Sequence, residues 1–335
     1  MQFRSIKGFT GWAQLGILLV FIGLGIVLGG FIQLYISMKV LGLHTIPAAI
    51  DKDVLENALL KPENATYAQL AQVLITFFLF FLSSLLFVAV CYGKLLWAGF
   101  NKYFSISQIG IAFLIILAAN YFANPFEEMT KSLFVHFPYW DKLAKDSEAL
   151  YTKEIGAMSL LNTVPQFFTG IFIIAFLPAL FEELFFRGVL QNLFVRWWKK
   201  PILAITVSSL IFSFIHASYY LFLSRFVLGF ALGLLFYQSK NIWVNIIAHF
   251  INNFLALLAL FAVNMSKAAT PAADALDKKL PIWSLLITGG ILFLLFEQFK
   301  KVSATKREQI EAEESFELAK SNIPFVNDTT TISNN

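Results

Sequence analysis

Charge is scarce in this sequence: 14% of its 335 residues are Asp, Glu, Lys or Arg, against about 25% in an ordinary soluble domain. With 58% hydrophobic residues and 38 Phe, the chain has more apolar surface than a water-soluble fold can bury, which points to helices crossing a bilayer. Cysteine is nearly absent. Cys91 is the single one, so an intrachain disulfide is excluded and the redox compartment is left open. The net charge of +4 is too small for a nucleic-acid partner and suits basic loops on one side of a membrane. Also missing are a Gly-x-Ser-x-Gly elbow, a cysteine nucleophile with a partner, and an HExxH pair of zinc ligands on one helix.

What is present is a series of long apolar runs. They lie near Trp12–Met38, Tyr67–Tyr92, Ile106–Ala123, Val164–Phe186, Ile202–Tyr220, Leu221–Gln238, Ile242–Val263 and Pro281–Phe299. They predict an all-α polytopic membrane helical bundle of about eight transmembrane helices, with residues 1–300 as the membrane domain. The first run is too long for a signal-peptide core and reads as a retained span. The fifth and sixth runs abut and predict a tight hairpin near Tyr219 and Tyr220. Residues 301–335 read as a charged, partly disordered cytosolic tail, a short helix followed by a disordered end. The Lys and Arg bias favours the cell membrane with both termini cytoplasmic. The third connection, 124–162, predicts an amphipathic surface segment. Its pair Glu127-Glu128, with Pro125 before it and Lys131 after it, reads as a solvated helix start with surface ion pairing.

Against this background one cluster stands out. Glu182, Glu183 and Arg187 fall within the oily stretch 171–195, where a charged residue costs roughly 2.5–3.5 kcal/mol at a helix centre. At 100° per residue, Glu183 and Arg187 share a helix face and can pair, while Glu182 points elsewhere. Pro178 predicts a kink one turn earlier. Of four histidines, His44 and His136 lie in connections and His216 and His249 within apolar runs. Ser209, Ser213 and His216 make one polar stripe; Asn245, His249 and Asn253 make another, with Asn252 at its edge. Three spans that must hide polar faces from lipid turn them toward one another. Gly229 and Gly233 form a GxxxG packing pattern, one turn after Arg225, itself either a surface residue or a partner for the second acid. Chemically the set suits hydrolysis, with Glu182 as base for a water, His216 holding that water, and His249 and Asn253 donating to an oxyanion. A divalent metal such as zinc on His216, His249 and Glu182 is allowed by the same residues.

The order Glu182-Glu183-x-x-x-Arg187, Phe212-x-x-x-His216 and His249-x-x-x-Asn253 resembles the three motifs of the CPBP family, which contains the CAAX prenyl proteases and the bacteriocin-processing and self-immunity proteins and is also called Abi. The match spans about 80 residues. The resemblance implies an eight-helix intramembrane endopeptidase, open toward the cytosol and the bilayer, whose substrate is a membrane-associated or lipid-modified peptide or protein. It assigns catalysis to Glu182, with Glu183 beside it, His216, His249 and Asn253, and includes Arg187. A cytosol-facing site also predicts that the chain bends after Gly188 and that 191–200 lies along the interface. The rival readings are a non-proteolytic scaffold or immunity factor of the same family and a proton-coupled transporter.

Overall fold

The computed structural model describes residues 3–45, 52–158, 161, 163–266 and 280–320. In chain order the helices are α1 (Gly11–Val40), α2 (Lys52–Leu59), α3 (Pro62–Cys91), α4 (Ile106–Phe134), α5 (Pro138–Met158), α6 (Val164–Trp198), α7 (Pro201–Ile215), α8 (Phe222–Ser239), α9 (Ile242–Met265) and α10 (Ser284–Lys320). Among the described residues there is no strand, only an isolated bridge between Arg4 and Thr10. Six helices are long and apolar enough to span a membrane: α1, α3, α4, α6, α8 and α9. The chain is a multi-pass, all-α membrane protein. The two remaining apolar runs lie on the shorter α7 and on the first part of α10.

Local chemistry sets the ends of these helices. Thr10 caps α1 through Ala13 N, and Thr163 caps α6 through Gln166 N. Ser105 and Gln108 form a reciprocal capping box at the start of α4. Lys199, in the left-handed region, ends α6, and Pro201 opens α7.

The core has two main parts. Around α6, Phe181, Leu184, Phe185, Phe186, Val189 and Leu193 pack with Leu18 of α1, Phe80 and Phe87 of α3, and Phe212 of α7. The other part joins Ile115 and Ile116 of α4 to Leu232 and Leu235 of α8, Val244 of α9 and Phe299 of α10. Because α6 is covered on several sides, charges on it are enclosed by protein rather than lipid. That is the condition under which intramembrane charge is tolerated.

Three expectations change. First, α4 runs through Pro125 to Phe134, at a cost of one intrahelical bond. Glu127 and Glu128 therefore sit near its end rather than at a helix start, although both do pair with Lys131, at 2.6 and 3.5 Å. Second, α6 does not stop at Gly188. It continues to Trp198, with π-helical turns over Ile171–Phe176 and Leu184–Gln191. The extra residue per turn shifts the helix phase without breaking the chain, so 191–198 is part of α6 rather than a separate interfacial element. Third, the short helix expected beyond Phe299 is not a separate element: α10 passes Phe299 without a break and reaches Lys320, while 321–335, the expected disordered end, lies outside the described residues.

The charged half of α10 is docked. Glu314 accepts from Arg196 at 2.8 Å and pairs with Lys240 at 3.1 Å, and Glu317 meets Lys94 at 2.5 Å. Burial pushes the Glu314 carboxyl up, but Arg196 and Lys240 outweigh it and hold the group below its ordinary value of 4.5. A lowered carboxylate stabilises the fold fully above its unfolded value and loses that contribution as pH falls through the folded one. Proteolytic protection of 301–320 is therefore expected to be constant above about pH 5 and to fall on further acidification. Glu314→Gln should weaken protection at neutral pH and flatten that fall.

Candidate active site

Glu183 is fully buried, and four groups converge on it or its partner. Arg187 Nη1 donates to its Oε1 at 2.8 Å, His249 Nδ1 lies 2.8 Å from the same oxygen, and Asn245 donates to Oε2 at 3.1 Å. The second guanidinium nitrogen of Arg187 donates to Gly229 O at 3.0 Å, and the guanidinium carbon lies 4.8 Å from the centre of the Phe212 ring. The glycine pattern on α8 thus has two uses. A Cβ at Gly229 would come within 3.2 Å of Phe212 and one at Gly233 within 2.7 Å of Ile205, so both permit close approach. Their carbonyls also receive Arg187 and Gln191, the latter at 2.9 Å.

Glu182 points away from this pair. Its Oε2 lies 3.9 Å from His216 Nε2 and 3.9 Å from His249 Nε2. The other nitrogen of each ring fixes its tautomer. His216 Nδ1 is 2.7 Å from Phe212 O; a carbonyl only accepts, so Nδ1 carries the proton. His249 Nδ1 donates to Glu183 in the same way. In the neutral rings both Nε2 atoms present lone pairs toward Glu182. The gap of 3.9 Å is too long for a direct hydrogen bond and suits one shared water.

His216 is not inside a span. It is the C-cap of α7, followed by Ala217 with φ of 53°, at the end remote from Lys200 and about 22 Å along the helix. The turn it opens is held by α5. Ser147 donates to Ala217 O, Ser218 donates to Glu148 at 2.8 Å, and Tyr220 donates to Asp141 at 3.1 Å. Arg225 is not directed at the second acid: it donates to His216 O at 3.3 Å and stacks over Tyr151 at 4.7 Å. The α5 segment expected on the bilayer surface is therefore a brace on the His216 turn. Side-chain exposure falls from 29% at His216 through 13% at Glu182 to 7% at His249 and 0% at Glu183, so the cluster opens on the His216 side.

Asn253 stands one turn beyond His249, with its amide 3.4 Å from Ala175 O of α6 and its Oδ1 3.5 Å from Asn252 Nδ2. Asn252 in turn accepts from Asn120 of α4 at 2.8 Å. The structure brings Glu182, Glu183, Arg187, His216 and His249 into one cluster and leaves Asn253 beside it, bonded to α6. Ser209 and Ser213 donate to backbone carbonyls and take no part. Sequence reasoning gave no role to Phe212 O or Gly229 O. The four-residue step from Phe212 to His216 is the one available signal, since it lets a histidine ring reach the carbonyl one turn back.

Two imidazoles with their second nitrogens tied to acceptors, plus a carboxylate, are a donor set that suits zinc. Their present spacing does not: among the described residues no three His, Cys, Asp or Glu side chains are placed to hold a metal ion, and 3.9 Å is wide for neighbours on one tetrahedral ion with bonds of about 2.0–2.2 Å.

Residues 164–255 match the family model for type II CAAX prenyl endopeptidases, Rce1-like. The similarity to that family is confined to this segment, under a third of the chain. The match covers α6 through most of α9 and contains every residue of the cluster, in agreement with the resemblance to the CPBP family. At the level of the family, an Rce1-like segment implies a membrane protease. Neither the comparison with curated proteins nor that with solved structures gives a match.

Proposed function

We propose that this protein is an intramembrane endopeptidase that hydrolyses a peptide bond in a membrane-associated or lipid-modified protein or peptide. The observation that carries the reading is the pair of equal 3.9 Å separations from Glu182 Oε2 to two histidine Nε2 atoms. A water held there has Glu182 as the base that takes its proton and His216 as a second acceptor that orients it. Attack on the substrate carbonyl places negative charge on its oxygen. Glu183 holds His249 Nδ1–H and so aims Nε2 at that oxygen, to which Nε2 donates once it has taken a proton from solvent on the open His216 side. Asn253 supplies the second donor by exchanging its long bond to Ala175 O for one to the oxyanion. The proton on Glu182 then passes to the leaving amine. Glu183, Arg187, Asn245 and Phe212 O touch no reacting atom; they fix the two rings. Complete retention of the cluster favours catalysis over a scaffold role.

The test is hydrolysis of a panel of lipidated and unlipidated C-terminal peptides by the purified protein in lipid nanodiscs. Cleavage at one internal bond, lost in Glu182→Gln, supports the proposal, and its persistence in that variant contradicts it. On the Glu182–water mechanism, chelator-treated protein keeps its activity. A loss restored by zinc would assign the water to a metal on His216, His249 and Glu182.

We further propose that the basic ends of α6, α8 and α10 face the cytoplasm together with both termini. The His216 turn, on whose side the cluster opens, then faces away from the cytoplasm, the reverse of the cytosolic opening that the family resemblance implies. An impermeant thiol reagent is expected to label Lys199→Cys and Tyr219→Cys from opposite sides of oriented vesicles; labelling from the same side would contradict this arrangement.

A further inference from the structure

Away from Glu182, a cleft of about 280 Å³ lies where the ends of α6, α7, α8 and α10 meet. Arg196, Lys199, Lys240 and Arg307 line it, with Glu311 and Glu314. Four cations against two carboxylates leave a surplus of two positive charges. Both carboxylates stay ionised near neutral pH. For each, burial raises the group, and neighbouring Lys240 with Arg307 at Glu311, or Arg196 with Lys240 at Glu314, more than reverses it. Lys199 is exposed, and among the described residues no ion pair engages it. Pro201, the first residue of the 15-residue α7, also lines the cleft, and its N-cap, Lys200, supplies no side-chain cap. Pro201 has no N–H and Ala204 N–H bonds Lys200 O, so the remaining first-turn donors are those of Ile202 and Leu203, which do not line the cleft. Gln191 also lines the cleft but is 1% exposed, with its amide nitrogen on Gly233 O and its Oε1 enclosed at the contact with α8.

The depth of the cleft indicates the source of an anionic ligand. Trp197 and Trp198 immediately precede Lys199, Trp12 packs on Trp197 at 4.7 Å, and Trp97 lies 4.9 Å from the Arg196 guanidinium carbon. Tryptophan gathered at one end of a bundle marks the headgroup level of a bilayer, and basic pockets between helices at that level take anionic headgroups.

We propose that the cleft binds the phosphate of an anionic glycerophospholipid headgroup. The phosphate meets Lys199, the exposed cation of the cleft.

Native mass spectrometry of the delipidated full-length protein tests this with three probes: phosphatidylglycerol, phosphatidylcholine and soluble glycerol 3-phosphate. Phosphatidylglycerol should be retained about tenfold better than phosphatidylcholine, which has no net charge. Lys199→Glu changes the cleft by two charges and should cut its retention about 30-fold, from roughly 1 kcal/mol per charge. Lys199→Arg should keep it. Lys102→Glu, an exposed lysine outside the cleft, should have no effect. Glycerol 3-phosphate should bind more weakly at the same site. Should it bind as tightly as the lipid, the headgroup chemistry stands and its source is soluble. Equal retention of the two lipids, or an equal loss in Lys199→Glu and Lys102→Glu, would overturn the proposal.

Discussion

Glu182→Gln is expected to lower peptide-bond hydrolysis about 10³-fold, within the range for removal of a positioned general base, while leaving the fold intact. The side chain keeps its size, and its Oε2 makes no direct hydrogen bond to either histidine at 3.9 Å. The amide cannot take a proton from water. The loss should therefore appear in kcat with KM nearly unchanged, and thermal unfolding should match wild type. A variant that unfolds would give Glu182 a structural role instead, and one that retains full turnover would remove it from the chemistry.

Arg187→Leu should have the opposite profile, a large loss of stability. Arg187 and Glu183 are 1% and 0% exposed at the side chain, and removal of one partner of a buried ion pair typically costs about 3–5 kcal/mol because the other charge is stranded. The variant is expected to be recovered from membranes at low yield, or to unfold at a much lower temperature. Replacing both residues by leucine removes the stranded charge and should restore much of that stability. Activity should not return with it, since His249 then loses the carboxylate that holds its Nδ1 and Asn245 loses an acceptor. Stability recovered without turnover separates the fold's need for charge balance from the reaction's need for an oriented ring. Thermal unfolding and turnover of the single and double variants, measured together, check it.

How much of this was legible in the sequence differs by feature. The spans were, because hydrocarbon demands about 20 apolar residues for each crossing and little else in the chain has that composition. The pairing of Glu183 with Arg187 followed from a four-residue step, and the divergence of Glu182 from the 100° rotation. The course of α6 did not follow. π-helical turns carry no residue signature, so Gly188 read as a bend when the phase shift was in fact spread over Leu184–Gln191. Acceptors supplied by backbone carbonyls at Phe212 and Gly229 are invisible for a similar reason, since every residue has one. The docked half of α10 read as a short charged cytosolic helix, but nothing in its composition showed what it docks on. Its burial depends on partners 74 and 118 residues away, Lys240 and Arg196. Asn245 was visible in a polar stripe, but its partner on another helix was not.

The most direct test of the central claim is a comparison of protein termini in membranes from cells that express wild type, Glu182→Gln or His216→Ala at matched levels, together with a co-expressed lipidated substrate that the purified protein cleaves. The account predicts new termini with wild type alone, at one position in the substrate and in any native target. Identical termini from all three, with both variants folded, would contradict it.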